Sequence, residues 1–293
     1  MALCVFDLDN TLGDFRLIDY FGLLLEPKIL PNYYKDDKIT QYKYTKEEKD
    51  LLLRLRDKIE KEIEKKGYNN KILRPKLKEI LNPLVEQYKK HKIKGFIIYS
   101  NNANLYSLEY AGRAIQNMFN IPDLFIKYLD RNHEERKKFD KLDSSGYPSK
   151  MVDTIKQYTT GTHPILFVDD MIHNDFYIDY ENVTYIIIPP FESDANKIDL
   201  QIIISLFEDI FEDMETFFNL YHIKNILKIH NFEELKNQYL LYSSERKPPS
   251  VFKENLPMIE KKINSFIKKI STSGGLRKRK RTRKNNKRVT KKR

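Results

Sequence analysis

Short, almost wholly apolar runs recur along this chain at Ala2 to Leu8, Lys94 to Tyr99, Ile165 to Val168 and Val183 to Ile188, with a fifth candidate at Leu124 to Lys127. A strand with one wet face alternates apolar and polar residues; these runs do not, so both of their faces must be covered. Strands of that kind belong to parallel sheets, whose neighbours need long crossover connections. Helical patterns fill the intervals. Pro75 to Lys90 carries Leu77, Ile80, Leu81, Leu84, Val85 and Tyr88 on one stripe, with Pro83 placed to kink it, and Leu105 to Phe119 reads as the next helix. The fold class that follows is α/β, a Rossmann-like doubly wound parallel sheet with its site at the carboxyl ends of the strands.

Two stretches exceed this plan. Between the first and second runs the chain is far longer than one crossover requires. Thr45-Lys46-Glu47-Glu48 has the form of a capping box, and Leu52, Leu55, Ile59 and Ile63 give an apolar stripe that ends near Gly67. Residues 14 to 44, rich in Tyr and Asp with Pro27 and Pro31, read as a flap over the site. Beyond Pro189-Pro190, the residues Ile203, Leu206, Phe207, Ile210, Phe211, Met214 and Phe218 repeat at helical spacing opposite an acidic face, and a second helix is expected at about Asn231 to Tyr242. Pro248-Pro249, Pro257 and Ser271-Thr272-Ser273-Gly274-Gly275 read as a linker and hinge. The expected division is a catalytic core of 1–12 and 74–192, a flap and helical cap insertion of 13–73, a C-terminal helical extension of 193–247, a linker of 248–276 and a disordered basic tail of 277–293.

The charge balance supports that division. Of the formal +11, twelve Lys or Arg lie between Arg277 and Arg293 with no acid among them, which leaves residues 1–276 at about −1. Basic character therefore resides in a tail and not on a face of the domain. The single Cys4 excludes a disulfide framework and a cysteine-based zinc cluster, and it fits a reducing compartment. Met1 to Phe6 runs straight into acids without the basic start of a signal peptide, and no apolar run is long enough to cross a bilayer. A soluble intracellular protein, cytoplasmic or nuclear, is expected, with the tail as a candidate nuclear address.

The first strand candidate ends in Asp7-Leu8-Asp9-Asn10-Thr11. Asp7 and Asp9 are two apart, so both project the same way where the strand leaves the sheet, and such a pair repels itself unless a cation lies between or one acid stays protonated. Three further features occur in order: Ser100 with Asn101 and Asn102 after the second run, Lys150 before a helical pattern at Met151 to Tyr158, and Asp169-Asp170 at the end of the fourth run. Parallel strand ends converge on one crevice, so these elements would meet there. Together they supply what phosphoryl transfer requires: a divalent metal with oxygen ligands, an ammonium, a hydroxyl and a carboxylate nucleophile.

On these residues the chain resembles the haloacid dehalogenase (HAD) superfamily of phosphotransferases, over residues 1 to 12 and about 74 to 190. The resemblance implies that Asp7 is the nucleophile and a metal ligand, and that Asp9 is the general acid and base, its backbone carbonyl also reaching the metal. Thr11 would position that loop. Ser100, with Asn101 beside it, would hold a phosphoryl oxygen, and Lys150 would neutralise nucleophile and phosphate; Lys137, Lys138, Lys141 and Lys156 are the neighbouring alternatives. The metal, Mg2+, would fall to Asp170 of the Asp169-Asp170 pair, with Asn174 or Asp175 supporting bound water. Tyr147-Pro148-Ser149-Lys150 and Phe167-Val168-Asp169-Asp170 look most like the branch holding the magnesium-dependent acid phosphatases and the RNA polymerase C-terminal-domain phosphatases. That implies a phosphomonoester hydrolase acting through an aspartyl-phosphate, with a phosphoprotein as the favoured substrate. The alternatives are a phosphatase for nucleotides or nucleic-acid ends, and a non-catalytic, nucleic-acid-associated structural protein on the same fold. The six histidines show no ligand spacing, and no aromatic residue interleaves the basic tail, so its nucleic-acid contact would be nonspecific and through phosphate charge.

Overall fold

The structure is a computed structural model that describes residues 1–16, 18–19, 22, 45–142, 148–159, 163–177, 181–191 and 256–289. Five strands form one sheet: β1 (Ala2–Phe6), β2 (Ile93–Tyr99), β3 (Phe125–Leu129), β6 (Ile165–Asp169) and β7 (Val183–Ile187). Their order is β3-β2-β1-β6-β7, and every pairing is parallel. All five apolar runs are strands, each within two residues of the expected ends. A two-strand hairpin, β4 (Lys141–Leu142) with β5 (Pro148–Ser149), stands apart from the sheet.

The missing polar alternation has its explanation in two cores. Cys4, Phe6, Phe96, Ile98, Leu166 and Val168 enter one apolar cluster, while Leu3, Val5, Ile97, Tyr99, Ile165 and Phe167 enter another on the opposite face. The first face is covered by α1 (Lys46–Lys65), α2 (Asn69–Ile72), α3 (Leu77–Lys89) and α4 (Leu105–Phe119), the second by α6 (Val152–Lys156) and residues around α7 (Asn174–Tyr177). The remaining short helix, α5 (Glu134–Phe139), lies between β3 and the hairpin. Pro83 stands inside α3 without ending it.

From β1 the chain builds outward to β2 and β3, then crosses to the other side of β1 to lay down β6 and β7. The β1/β6 boundary is therefore the topological switch point, where the crevice of an open parallel sheet opens.

The inserted helix α1 is packed on the body: Leu55, Ile59 and Ile63 are fully buried in the same cluster as α3 and α4, and Arg113 of α4 pairs with Glu60 at 2.6 Å. Its apolar stripe is thus continuous with the core of the sheet's first face. Residues 256–276, expected as linker, begin a helix, α8 (Leu256–Val289), whose Ile259, Ile263, Phe266 and Ile270 are buried against the first face. Pro257 reads as a breaker, yet proline is at home in a helix's first turn, and the apolar spacing of i, i+4, i+7, i+11 outweighs it. The backbone of α8 continues to Val289, through Gly274-Gly275 and over most of the stretch expected to be disordered. Most of the flap and the helices expected between 203 and 242 lie outside the described residues. No helix among the described residues is long and apolar enough to cross a membrane.

Candidate active site

The end of β1 places Asp7, whose N–H still donates to Val168 O at 2.9 Å, beside the end of β6. The chain then turns sharply. Leu12 N–H donates to Leu8 O, Asn10 adopts φ 59°, and Asp14 N–H reaches Ile72 O at 2.7 Å. Gly13 makes that approach feasible, because a Cβ there would lie 2.3 Å from the Ile72 carbonyl oxygen. Arg74 locks the turn: it is 2% exposed and donates to Thr11 O at 2.7 Å and to Asn10 O and Pro189 O at 2.6 Å each. One guanidinium thus joins the loop after β1 to the chain after β7, using the rigid fork that suits several acceptors at once.

Lys150 lies across the switch point. Its Nζ donates to Asp7 Oδ1 at 2.5 Å and to Asp169 Oδ2 at 2.7 Å, with Lys150 2% and Asp169 0% exposed. Burial opposes the ammonium charge, but the two carboxylates outweigh it and hold Lys150 above its ordinary value, so it stays charged. Asp169 feels burial too, yet Lys150 and His173 draw it below the usual carboxylate range. Met171 N–H donates to Asp169 Oδ1 at 2.8 Å. His173 Nε2 lies 3.1 Å from Asp169 Oδ2, within ion-pair distance but without hydrogen-bond alignment.

Asp170, next along, accepts from the Thr11 hydroxyl at 3.2 Å, the one side-chain hydrogen bond to it among the described residues. Burial, then Asp7 and Asp169, push its carboxyl up to about 7. Oxygens of Asp7, Asp169 and Asp170 all lie within 4.8 Å of one another. Burial also raises Asp7, as Asp169 does, against the pull of Lys150, and it raises Asp9 well above its ordinary value, reinforced by Asp19 and Asp7. Three clustered carboxylates share a single ammonium. An all-oxygen acidic set with surplus negative charge fits a hard divalent cation of the Mg2+ or Ca2+ kind, and it does not suit a metal that prefers thiolate. Asp169 has both oxygens engaged by the protein, so Asp7 and Asp170 are the better placed ligands.

Asp170 gives a pH signature. A folded value near 7, against about 3.9 in the unfolded chain, means the native state binds that proton more tightly. The stability it contributes is fully present below about pH 4 and is lost as pH rises through about 7. Without divalent cation, Asp170→Asn is expected to raise stability by roughly 4 kcal/mol at about pH 8 and by roughly 1 to 2 kcal/mol at about pH 5, and to weaken stabilisation by Mg2+. Thermal unfolding in chelator at both pH values, then with Mg2+, measures this; a variant less stable than wild type at the higher pH contradicts it.

Ser100 follows β2 directly, is 1% exposed, and its Oγ accepts from Asn102 N–H at 3.1 Å. Asn101 does not reach the acids: its Oδ1 accepts from Arg136 at 2.6 Å. Asn102 does, donating to Asp9 Oδ2 at 3.1 Å. Asn174 is exposed at the start of α7, whereas Asp175 accepts from Val152 N–H at 2.6 Å and so anchors the segment carrying Lys150. Lys137, Lys138 and Lys141 are exposed, and Lys137 and Lys156 pair with Glu134 and Asp153 on their own helices.

A second buried network, invisible to the motif reading, supports Lys150 and Ser100. Arg136 is 1% exposed, pairs with Asp140 at 2.6 Å and donates to Ser100 O. Asp140 also accepts from Tyr99 OH at 2.5 Å and Thr154 Oγ1 at 2.6 Å, while Tyr99 OH accepts from Met151 N–H at 2.9 Å. The loop after β2 and the start of α6 are thus tied through one carboxylate.

Comparison with protein-family models, curated proteins and solved structures finds no match to this chain. Fold and site together define a parallel α/β protein with a lysine-bridged carboxylate cluster at its switch point.

Proposed function

We propose that this chain is a Mg2+-dependent phosphomonoester hydrolase of the HAD type, working through an aspartyl-phosphate on Asp7. The observation that carries the reading is Lys150 bridging Asp7 and Asp169 at the switch point, with Asp170 alongside. Asp7 attacks phosphorus, the ester oxygen departs, and a proton from Asp9 goes to it. Asp9, now a carboxylate, takes a proton from water as that water attacks the phosphoryl group, and Asp7 is released with inorganic phosphate. Lys150 holds the Asp7 carboxylate in place and offsets charge on the phosphoryl oxygens, a task in which the Ser100 hydroxyl joins. Asp7 and Asp170 would hold Mg2+, which would supply further positive charge to those oxygens.

A phosphorylated protein side chain is the favoured substrate, on the likeness of Pro148-Ser149-Lys150 and Val168-Asp169-Asp170 to the phosphoprotein-directed branch, and α1 fits it because this helix is anchored to α4. A nucleotide or nucleic-acid end is the second reading, favoured by the twelve basic residues of 277–293. Turnover of an aryl phosphate, then of phosphopeptides, nucleotides, sugar phosphates and phosphorylated nucleic-acid ends, tests both. Mg2+-dependent release of phosphate, highest on phosphopeptides, is expected. No Mg2+-dependent release from any class would sink the reading.

A further inference from the structure

Beside Asp9 lies a carboxylate that the proposed chemistry does not use. Asp19 is placed by a turn whose Phe15 and Ile18 are fully buried and whose Phe15 O accepts from Asp19 N–H at 2.8 Å. Its Oδ1 accepts from Ser107 Oγ at 2.5 Å and from Asn102 Nδ2 at 2.8 Å, and Asn104 Nδ2 donates to its backbone oxygen at 3.3 Å. Asn104 and Ser107 are themselves 2% and 0% exposed, so the acceptor is set in a rigid frame at the start of α4.

The Asn102 side chain stands between the two acids. Its nitrogen faces Asp9 Oδ2 at 3.1 Å and both Asp19 oxygens, at 2.8 and 3.0 Å, while its oxygen accepts from Asn104 N–H at 2.8 Å. A flipped amide would turn its oxygen toward two carboxylates and its nitrogen toward an N–H donor. Asp19 and Asn104 therefore fix which way the amide points. We infer that Asp19 is a positioning residue for Asp9: by orienting the Asn102 amide it keeps Asp9 Oδ2 as an acceptor and leaves Oδ1 as the oxygen that carries the transferred proton. The inference rests on the phosphatase reading above.

Sequence alone hides this link, because Asp19 lies 83 positions from Asn102 and belongs to no motif. Its consequence depends on the leaving group. An alkoxide such as the serine oxygen needs a proton as it departs; a nitrophenolate does not. In Asp19→Asn the amide nitrogen of residue 19 can face that of Asn102, and the orienting charge is gone.

The test is single-turnover release of the alcohol, which isolates the step in which Asp9 acts as acid, from phosphoserine and from nitrophenyl phosphate. For Asp19→Asn the release rate is expected to fall roughly 10- to 100-fold on phosphoserine and less than about 3-fold on nitrophenyl phosphate, with saturation by either substrate unchanged. Ser107→Ala, which loosens Asp19 without altering charge, is expected to show a smaller effect with the same substrate preference, and it serves if Asp19→Asn does not fold. Equal losses on the two substrates, or none on phosphoserine, overturn the positioning role while leaving the phosphatase reading intact. Failure of wild type to release either alcohol overturns the phosphatase reading and this inference with it.

Discussion

Asp7→Asn should lower Mg2+-dependent aryl phosphate turnover by roughly ten-thousand-fold or more, the scale expected when a nucleophile is removed. It should do so in a folded protein. The amide keeps the carboxylate's shape, Asp169 still holds Lys150 at 2.7 Å, and the change removes one member of a group of acids that raise one another's affinity for protons. Unfolding temperature within a few degrees of wild type is therefore expected, and a circular dichroism melt beside the assay separates lost chemistry from lost structure. The substitution discriminates because a merely electrostatic Asp7 would leave much of the rate intact. Turnover within about tenfold of wild type would assign the attack to another group.

Lys150→Met should show the second large effect, on stability and rate together. The ammonium is the cation that Asp7 and Asp169 share in a site 0 to 6% exposed at those three residues. Removing one partner of a buried pair strands the charge that remains, at about 3 to 5 kcal/mol, whereas an exposed pair is worth about 0 to 1. Denaturant unfolding in chelator should show the larger figure. Mg2+ should restore part of it, because a cation near Asp7 and Asp170 relieves the same surplus of negative charge. Arginine should not substitute well, since a planar fork has to enter space that fits a compact ammonium. A loss under about 1 kcal/mol would mean that Lys150 does not hold the cluster together.

The sheet was legible because strands covered on both faces carry apolar residues without interruption, and the two clusters fed alternately by β1, β2 and β6 account for that pattern. The acids at the ends of β1 and β6 were legible for the same reason: parallel strands deliver their C-terminal residues to one edge. Lys150 came with them through its place after Tyr147-Pro148-Ser149 and before a helical pattern. What escaped was the support. Arg136 lies in Glu134-Glu135-Arg136-Lys137-Lys138, a run that reads as solvent-facing, and only the burial of Arg136 and Asp140 reveals their roles. Arg74, beside Pro75, carried no signal of the three carbonyls it collects. Long-range polar contacts of this kind have no period to find. The helix from Leu256 is legible in principle from the spacing of Ile259, Ile263, Phe266 and Ile270, which competes there with Pro257 and the paired glycines.

The proposed covalent bond between phosphorus and Asp7 can be trapped directly. Wild-type protein mixed with Mg2+ and an aryl phosphate, quenched during the first turnover and treated with borohydride, is read by peptide mass spectrometry. Reduction of the acyl phosphate should convert residue 7, and no other acid, to homoserine, with no conversion in Asp7→Asn. Turnover that proceeds with Asp7 unmodified, or with the label on another carboxylate, would contradict the assignment.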